Sequence, residues 1–147
     1  MKRFLRIILP VLTFCAIAFI LLNAFSDGTQ ATEKRDVVVK VVTGQASFAT
    51  RVMRTIAKFF HVLEYAFYSF ALTSSILIWG DLRARLERVL LCGIFLALAD
   101  ELIQSTLSGR GSRVTDIVVD TAGIMIGYAA SVLIAAVVKR IQKKKGT

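Results

Sequence analysis

Proline, cysteine and histidine are almost missing from this chain: it has one, two and one of them among 147 residues. A lone proline leaves out a proline-rich linker, and two cysteines leave out both a disulfide scaffold and a four-cysteine zinc site. One histidine removes the paired-histidine metal motifs. Acidic residues are also scarce, ten Asp plus Glu against nineteen Lys plus Arg, for a net charge of +9. In a soluble chain that surplus would suggest nucleic acid. Here the cations sit beside long uncharged runs, so the pattern is topological and no nucleic-acid partner is expected. Apolar residues make up 56% of the chain, and its mean hydropathy of +0.67 is too high for an ordinary soluble domain of this size. These numbers describe one all-α membrane domain.

Four apolar segments account for the excess. Ile7 to Phe25 runs 19 residues without a charge, and a hydrocarbon core about 30 Å thick needs roughly 20 helical residues to cross. Ala24-Phe25-Ser26 also offers a small-x-small cleavage site, but the apolar run is longer than a signal-peptide core. Cys15 follows bulky Phe14, where a lipoprotein site would need a small residue, and is read as a lipid-facing or packing residue. The second segment is Phe59 to Gly80, the third about Arg88 to Leu107, and the fourth Ile117 to Val138. Each of these three carries its ionisable groups at one end. The expected organisation is a transmembrane helix or signal anchor over 1–25, an extracytoplasmic connection with an amphipathic segment over 26–58, a three-helix core over 59–138 and a basic tail over 139–147.

Lys and Arg in short connections mark the cytoplasmic side. They cluster at Lys2, Arg3 and Arg6, at Arg83, Arg85 and Arg88, and at Lys139, Arg140, Lys143, Lys144 and Lys145. An even-numbered bundle puts all three clusters on one side. The fold expected is therefore an all-α integral membrane four-helix bundle, multi-pass, with both termini cytoplasmic. Loss of the first helix by cleavage would not invert the rest. In the outer connection, Val37 to Val42 has the β-branched make-up of a short strand. From Ser47 onward Phe48, Val52, Ile56 and Phe59 recur at helical spacing beside a stripe of Arg51, Arg54 and Lys58. That segment either lies in the headgroup layer or extends the second helix.

On this topology the polar residues converge at the outer end. Lys58, His61 and Glu64, three apart, share one side of the second helix. Asp100, Glu101 and Gln104 occupy the last turns of the third, Gly109 and Arg110 the outer loop, and Asp116 and Asp120 the first turns of the fourth. Isolated charges cost about 2.5–3.5 kcal/mol in the hydrocarbon on insertion scales, so these groups should face one another or a wet pocket. Asp116, Asp120, Gly123, Gly127 and Ser131 form one helix face, acidic outside and small further in. The GxxxG of Gly123 and Gly127 lets a neighbouring helix approach closely. His61 beside Glu64, with Asp100 and Glu101 across an interface, would suffice for acid/base work. No nucleophile elbow or paired-histidine zinc motif accompanies them. Oxygen ligands suit a divalent cation, but the spacing demands no cofactor. The competing reading is a network that only clips helices together. In it Asp116 is an N-cap, Gln104 an interhelical partner, Tyr65, Tyr68 and Trp79 packing or belt residues, and Cys92 core.

Two strings, KFFHVLEYAF (Lys58 to Phe67) and ADELIQSTLSGRGSRVTDIVVDTAGIMIG (Ala99 to Gly127), resemble the VanZ-like family, named for a teicoplanin-resistance protein. Its pattern reads Lys-x-x-His-x-x-Glu-Tyr, then Asp-Glu-x-His-Gln, a Pro-Gly-Arg loop, two Asp four apart and a Gly-rich helix. Lys58, His61, Glu64, Tyr65, Asp100, Glu101, Gln104, Gly109, Arg110, Asp116, Asp120, Gly123 and Gly127 match it. Ile103 stands where many members have a second histidine, and Ser108 where the loop often has proline. The resemblance covers helices two to four and implies a small bacterial inner-membrane protein, conferring low-level resistance to lipoglycopeptides such as teicoplanin in some members.

Three functions follow as expectations. The first is an envelope protein whose outward-facing pocket binds a membrane lipid, a lipid-linked cell-wall precursor or a glycopeptide, with Lys58 and Arg110 on anionic groups and Glu64, Asp100 and Glu101 on cationic or hydroxyl groups. Gln104, Asp116 and Asp120 complete that ligand-binding set. The second is a membrane hydrolase or transferase acting on a polyprenyl phosphate, with His61, Glu64, Asp100 and Glu101 as catalytic groups. The third is a structural subunit of a membrane complex.

Overall fold

The computed structural model describes residues 2–26, 46–79, 85–106 and 114–145. Among them the chain forms four helices and no strand: α1 (Lys2–Ser26), α2 (Ala46–Trp79), α3 (Arg85–Thr106) and α4 (Val114–Lys145). The Val37–Val42 run lies outside the described residues. α2 runs unbroken for 34 residues, so the amphipathic stretch before Lys58 continues into the apolar one as a single helix.

Three helices are long and apolar enough to cross a membrane, over Arg3–Ala24, Lys58–Trp79 and Val114–Lys144. α3, at 22 residues, is not among them; it has Glu87 and Arg88 in its first turn and Asp100 and Glu101 near its end. The radial distribution of side chains is inverted relative to a soluble bundle. Phe14, Phe19, Phe59, Phe60, Phe67, Phe95 and Leu133 face outward, at least half exposed, whereas Ala16, Ala24, Ala71, Ala97, Ser69, Thr73 and Ser131 are buried. Small and hydroxylic residues inside with large apolar ones outside is the arrangement that packing in lipid favours, because tails solvate Phe and Leu as well as a core would. Cys92, expected in the core, lies on the exposed outer surface of α3, as Cys15 does on α1.

Contacts fix the helix directions. Thr13 faces Ser75 and Asn23 faces Glu64, so α1 runs antiparallel to α2. Lys58 meets Asp116, Ser69 donates to the Ile124 carbonyl and Ser74 meets Ser131, so α2 and α4 run parallel. Gly93 packs on Ile124 while Asp100 and Glu101 approach Asp120, so α3 runs antiparallel to α4. α2 and α4 make the most extensive pairing in the bundle. Its tightness comes from Gly123 and Gly127: a Cβ at Gly123 would lie 2.6 Å from the Val62 carbonyl oxygen, and one at Gly127 would overlap that of Ala66. On α1, Ala16, Ile20 and Ala24 recur every four residues and are all buried, forming the face laid on the bundle. At the opposite end from Asn23, the Arg6 guanidinium stacks 5.1 Å from the Trp79 ring centre, an arrangement suited to an interfacial anchor.

Candidate functional site

Three helix ends and one helix interior meet at one level: the C-terminal ends of α1 and α3, the first turns of α4, and the point on α2 where its apolar span begins. Helical spacing of three puts Lys58, His61 and Glu64 on one side of α2. The Lys58 ammonium donates to Asp116 Oδ1 at 2.7 Å, with the two side chains 45% and 31% exposed. One turn deeper His61 Nδ1 lies 3.9 Å from Glu64 Oε2, and those side chains are 18% and 14% exposed. Deeper still, Tyr65, Asp100, Glu101, Gln104 and Asp120 are all under 5% exposed. Exposure thus falls stepwise from an ion pair at the rim to an almost fully buried floor.

The floor is acidic. Tyr65 is close enough to Asp100, Asp120, Glu64 and Glu101 to interact electrostatically with each, and Asp120 feels Asp100, Glu101, Asp116 and Glu64. α2, α3 and α4 all contribute, so the convergence is tertiary and not a local run of charge. Among the described residues no group of three or more His, Cys, Asp and Glu stands where it could hold a metal ion. The arrangement offers proton exchange and hydrogen bonding instead, with an imidazole and a carboxylate one turn apart above a carboxyl-rich interior.

The structure thus brings together Lys58, His61, Glu64, Asp100, Glu101, Gln104, Asp116 and Asp120. Arg110 and Gly109 lie outside the described residues. Asp116 is the third residue of α4, inside the helix, and its carboxylate takes the Lys58 ammonium in place of the N-cap role. Gly123 and Gly127 are helix-packing residues, and their partner is α2.

One participant was not anticipated, and a second was singled out only by the family pattern. Asn23 on α1 donates from Nδ2 to Glu64 Oε1 at 2.9 Å; the available signal was a single amide in an apolar helix, which in lipid tends to face a partner. Tyr65, read as a packing or belt residue, is fully buried, and its hydroxyl makes no hydrogen bond among the described residues. Its position four residues after His61, on the same stripe, was the signal.

No curated protein and no solved structure matches the chain. A family model does: VanZ/LLP1 matches residues 9–135. The match starts inside α1 and ends inside α4, so it takes in the first helix together with the three that carry the motif strings. With most of its length matched, the chain belongs to the VanZ/LLP1 family.

Proposed function

We propose that this chain is a multi-pass protein of a bacterial plasma membrane whose polar site faces outward and binds a lipid-linked or glycopeptide ligand, lowering the access of lipoglycopeptides such as teicoplanin to the cell-wall precursor. The observation that carries this reading is the graded site, from the half-exposed Lys58–Asp116 pair to buried Asp100, Glu101 and Asp120. Such a gradient suits a ligand that enters from the headgroup layer, an anionic group at the rim and hydroxyl or ammonium groups below.

Helix directions support the topology. Because α2 and α4 are parallel, the chain must return across the bundle between Trp79 and Val114. α3, about 33 Å long at 1.5 Å per residue, makes that return and is the fourth crossing. The basic clusters at the start of α1, the start of α3 and the end of α4 then share the side opposite the acidic residues, which supports a topology with both termini in the cytoplasm and the site outside.

The test is expression of the wild type, Glu64→Ala and Glu101→Ala in a teicoplanin-sensitive Gram-positive host, with membrane levels checked and susceptibility to teicoplanin and vancomycin measured. Protection by the wild type that both variants lose is expected. A well-expressed wild type that does not protect defeats the reading. The His61–Glu64 pair at 3.9 Å favours one alternative, a hydrolase or transferase acting on a polyprenyl phosphate; turnover of a polyprenyl diphosphate by the purified protein, lost in His61→Gln, would select it.

A further inference from the structure

We propose that Asn23, on the N-terminal helix, is the positioning residue of the His61–Glu64 pair: its amide holds the Glu64 carboxylate with one oxygen toward Nδ1 of His61, so that Nδ1 carries the proton and Nε2 is left as the acceptor of the site. The inference rests on the polar site proposed above and adds to it a ligand chemistry, a hydroxyl or a protonated phosphate that donates to Nε2.

Geometry carries the argument. A carboxylate on a flexible side chain samples several rotamers unless something fixes it. Here Asn23 Nδ2 donates to Oε1 at 2.9 Å, which leaves Oε2 on the side of the imidazole, 3.9 Å from Nδ1. Nδ1 is itself buried and makes no hydrogen bond among the described residues. A ring nitrogen that faces a carboxylate is the one that carries the proton, and the other then has a free lone pair. The separation exceeds hydrogen-bond length, as is common before a ligand tightens a site. The carboxyl groups of Asp100, Glu101 and Asp120 and the Lys58–Asp116 pair approach this unit from α2, α3 and α4, and α1 adds the Asn23 hydrogen bond to Glu64. Ile20 and Ala24, both 2% exposed, seat α1 against the bundle on either side of Asn23 and fix its height. A helix that served only as an anchor would have no need of an amide at this level.

The chain has one histidine, which makes the test direct. The full-length protein, purified without a histidine tag, is labelled with ring-¹⁵N histidine and reconstituted in lipid nanodiscs at a pH where the ring is neutral. The two nitrogen shifts then report the tautomer. The wild type should be mainly Nδ1–H. Asn23→Leu, similar in volume but without a donor, should lower the Nδ1–H to Nε2–H ratio several-fold, and Asn23→Gln, which keeps the amide, should recover part of it. A wild type that is mainly Nε2–H, or a folded Asn23→Leu protein with an unchanged ratio, overturns the proposal. If Asn23→Leu does not fold, dipolar recoupling between Asn23 Nδ2 and Glu64 Cδ in the wild type decides, and absence of coupling overturns it. The readout needs no ligand and no resistance phenotype. A tautomer that responds in a protein that gives no protection would refute the proposed function alone, and an unresponsive tautomer in a protective protein would refute this inference alone.

Discussion

Gly127→Ala is the substitution that tests the bundle most directly. A methyl group there would overlap the Ala66 carbonyl oxygen and stand 2.8 Å from Ala66 C and 2.9 Å from Phe70 N. All three are backbone atoms of α2, so no side-chain rotation makes room and the two helices must move apart. Overpacking of this kind costs about 1–3 kcal/mol. Separation also weakens the Ser69 to Ile124 and Ser74 to Ser131 hydrogen bonds, worth about 0.6 kcal/mol each in a membrane. Alanine returns up to about 1 kcal/mol of helix propensity, so the net loss should be about 1–3 kcal/mol. Gly93→Ala is the control: the three atoms nearest its methyl all belong to the Ile124 side chain, Cδ1 closest at 2.5 Å, and a side chain can turn where backbone cannot. Its strain and its propensity gain should cancel to within about 1 kcal/mol. Gly123→Ala, 2.6 Å from the Val62 carbonyl oxygen, should fall near Gly127→Ala. Unfolding by SDS from mixed micelles measures all three. If Gly127→Ala unfolds at the same detergent fraction as Gly93→Ala, the close parallel packing of α2 on α4 is wrong.

In a background lacking Cys15 and Cys92, Ser74→Cys with Ser131→Cys should form a disulfide on mild oxidation in membranes, since the hydroxyls are 2.9 Å apart; failure would count against parallel α2 and α4. Lys58→Met should cost no more than about 1 kcal/mol in the same unfolding assay, because both partners of its ion pair are partly exposed; a larger loss would show that the rim pair holds the bundle. Intact mass of the membrane-extracted protein should include α1, whose Ala24 is buried in the bundle; a mature chain beginning near Ser26 would contradict that packing. Ser105→Cys, at the exposed end of α3, should react with an impermeant thiol reagent on whole cells, and Lys143→Cys only after permeabilisation; the reverse would invert the topology.

Apolar run length was sufficient to find α1, α2 and α4, because crossing a membrane imposes a minimum length that few other structures require. The beginning of α2 was harder to see. Phe48, Val52, Ile56 and Phe59 keep helical spacing across Lys58, but periodicity alone does not distinguish a helix lying in the headgroup layer from one continuing into the bilayer. The face of α4 was legible from Asp120, Gly123 and Gly127, while its partner was not: GxxxG says that a backbone comes close, and only the tertiary arrangement makes that backbone the parallel α2 and not the sequence neighbour α3. Cys92 shows the limit of the soluble-protein intuition. In lipid a mid-helix apolar residue is as well solvated outside as inside, so hydrophobicity carries no information about which way it faces.

The acidic residues followed a different logic and were easier to place, because charge is the one property for which lipid and protein interior differ sharply. Asp100, Glu101 and Asp120 had to find company, and helix ends at one depth were the only place to find it. Uncharged polar residues carry no such penalty and were less legible: Asn23 was absorbed into an apolar run, and Tyr65 stood out by the family pattern and not by its polarity. That contrast also bears on whether the acidic floor is only a clip. The bundle already has clips, in Ser69 to Ile124, Ser74 with Ser131 and Thr13 with Ser75, and hydroxyls make such bonds at little desolvation cost. Carboxyl groups at 1–4% exposure, as Asp100, Glu101 and Asp120 are, cost several kcal/mol each to bury when ionised. A fold that can join its helices with serine and threonine does not need that expense for cohesion, and a site that must exchange protons or hold polar ligand groups below the headgroups does.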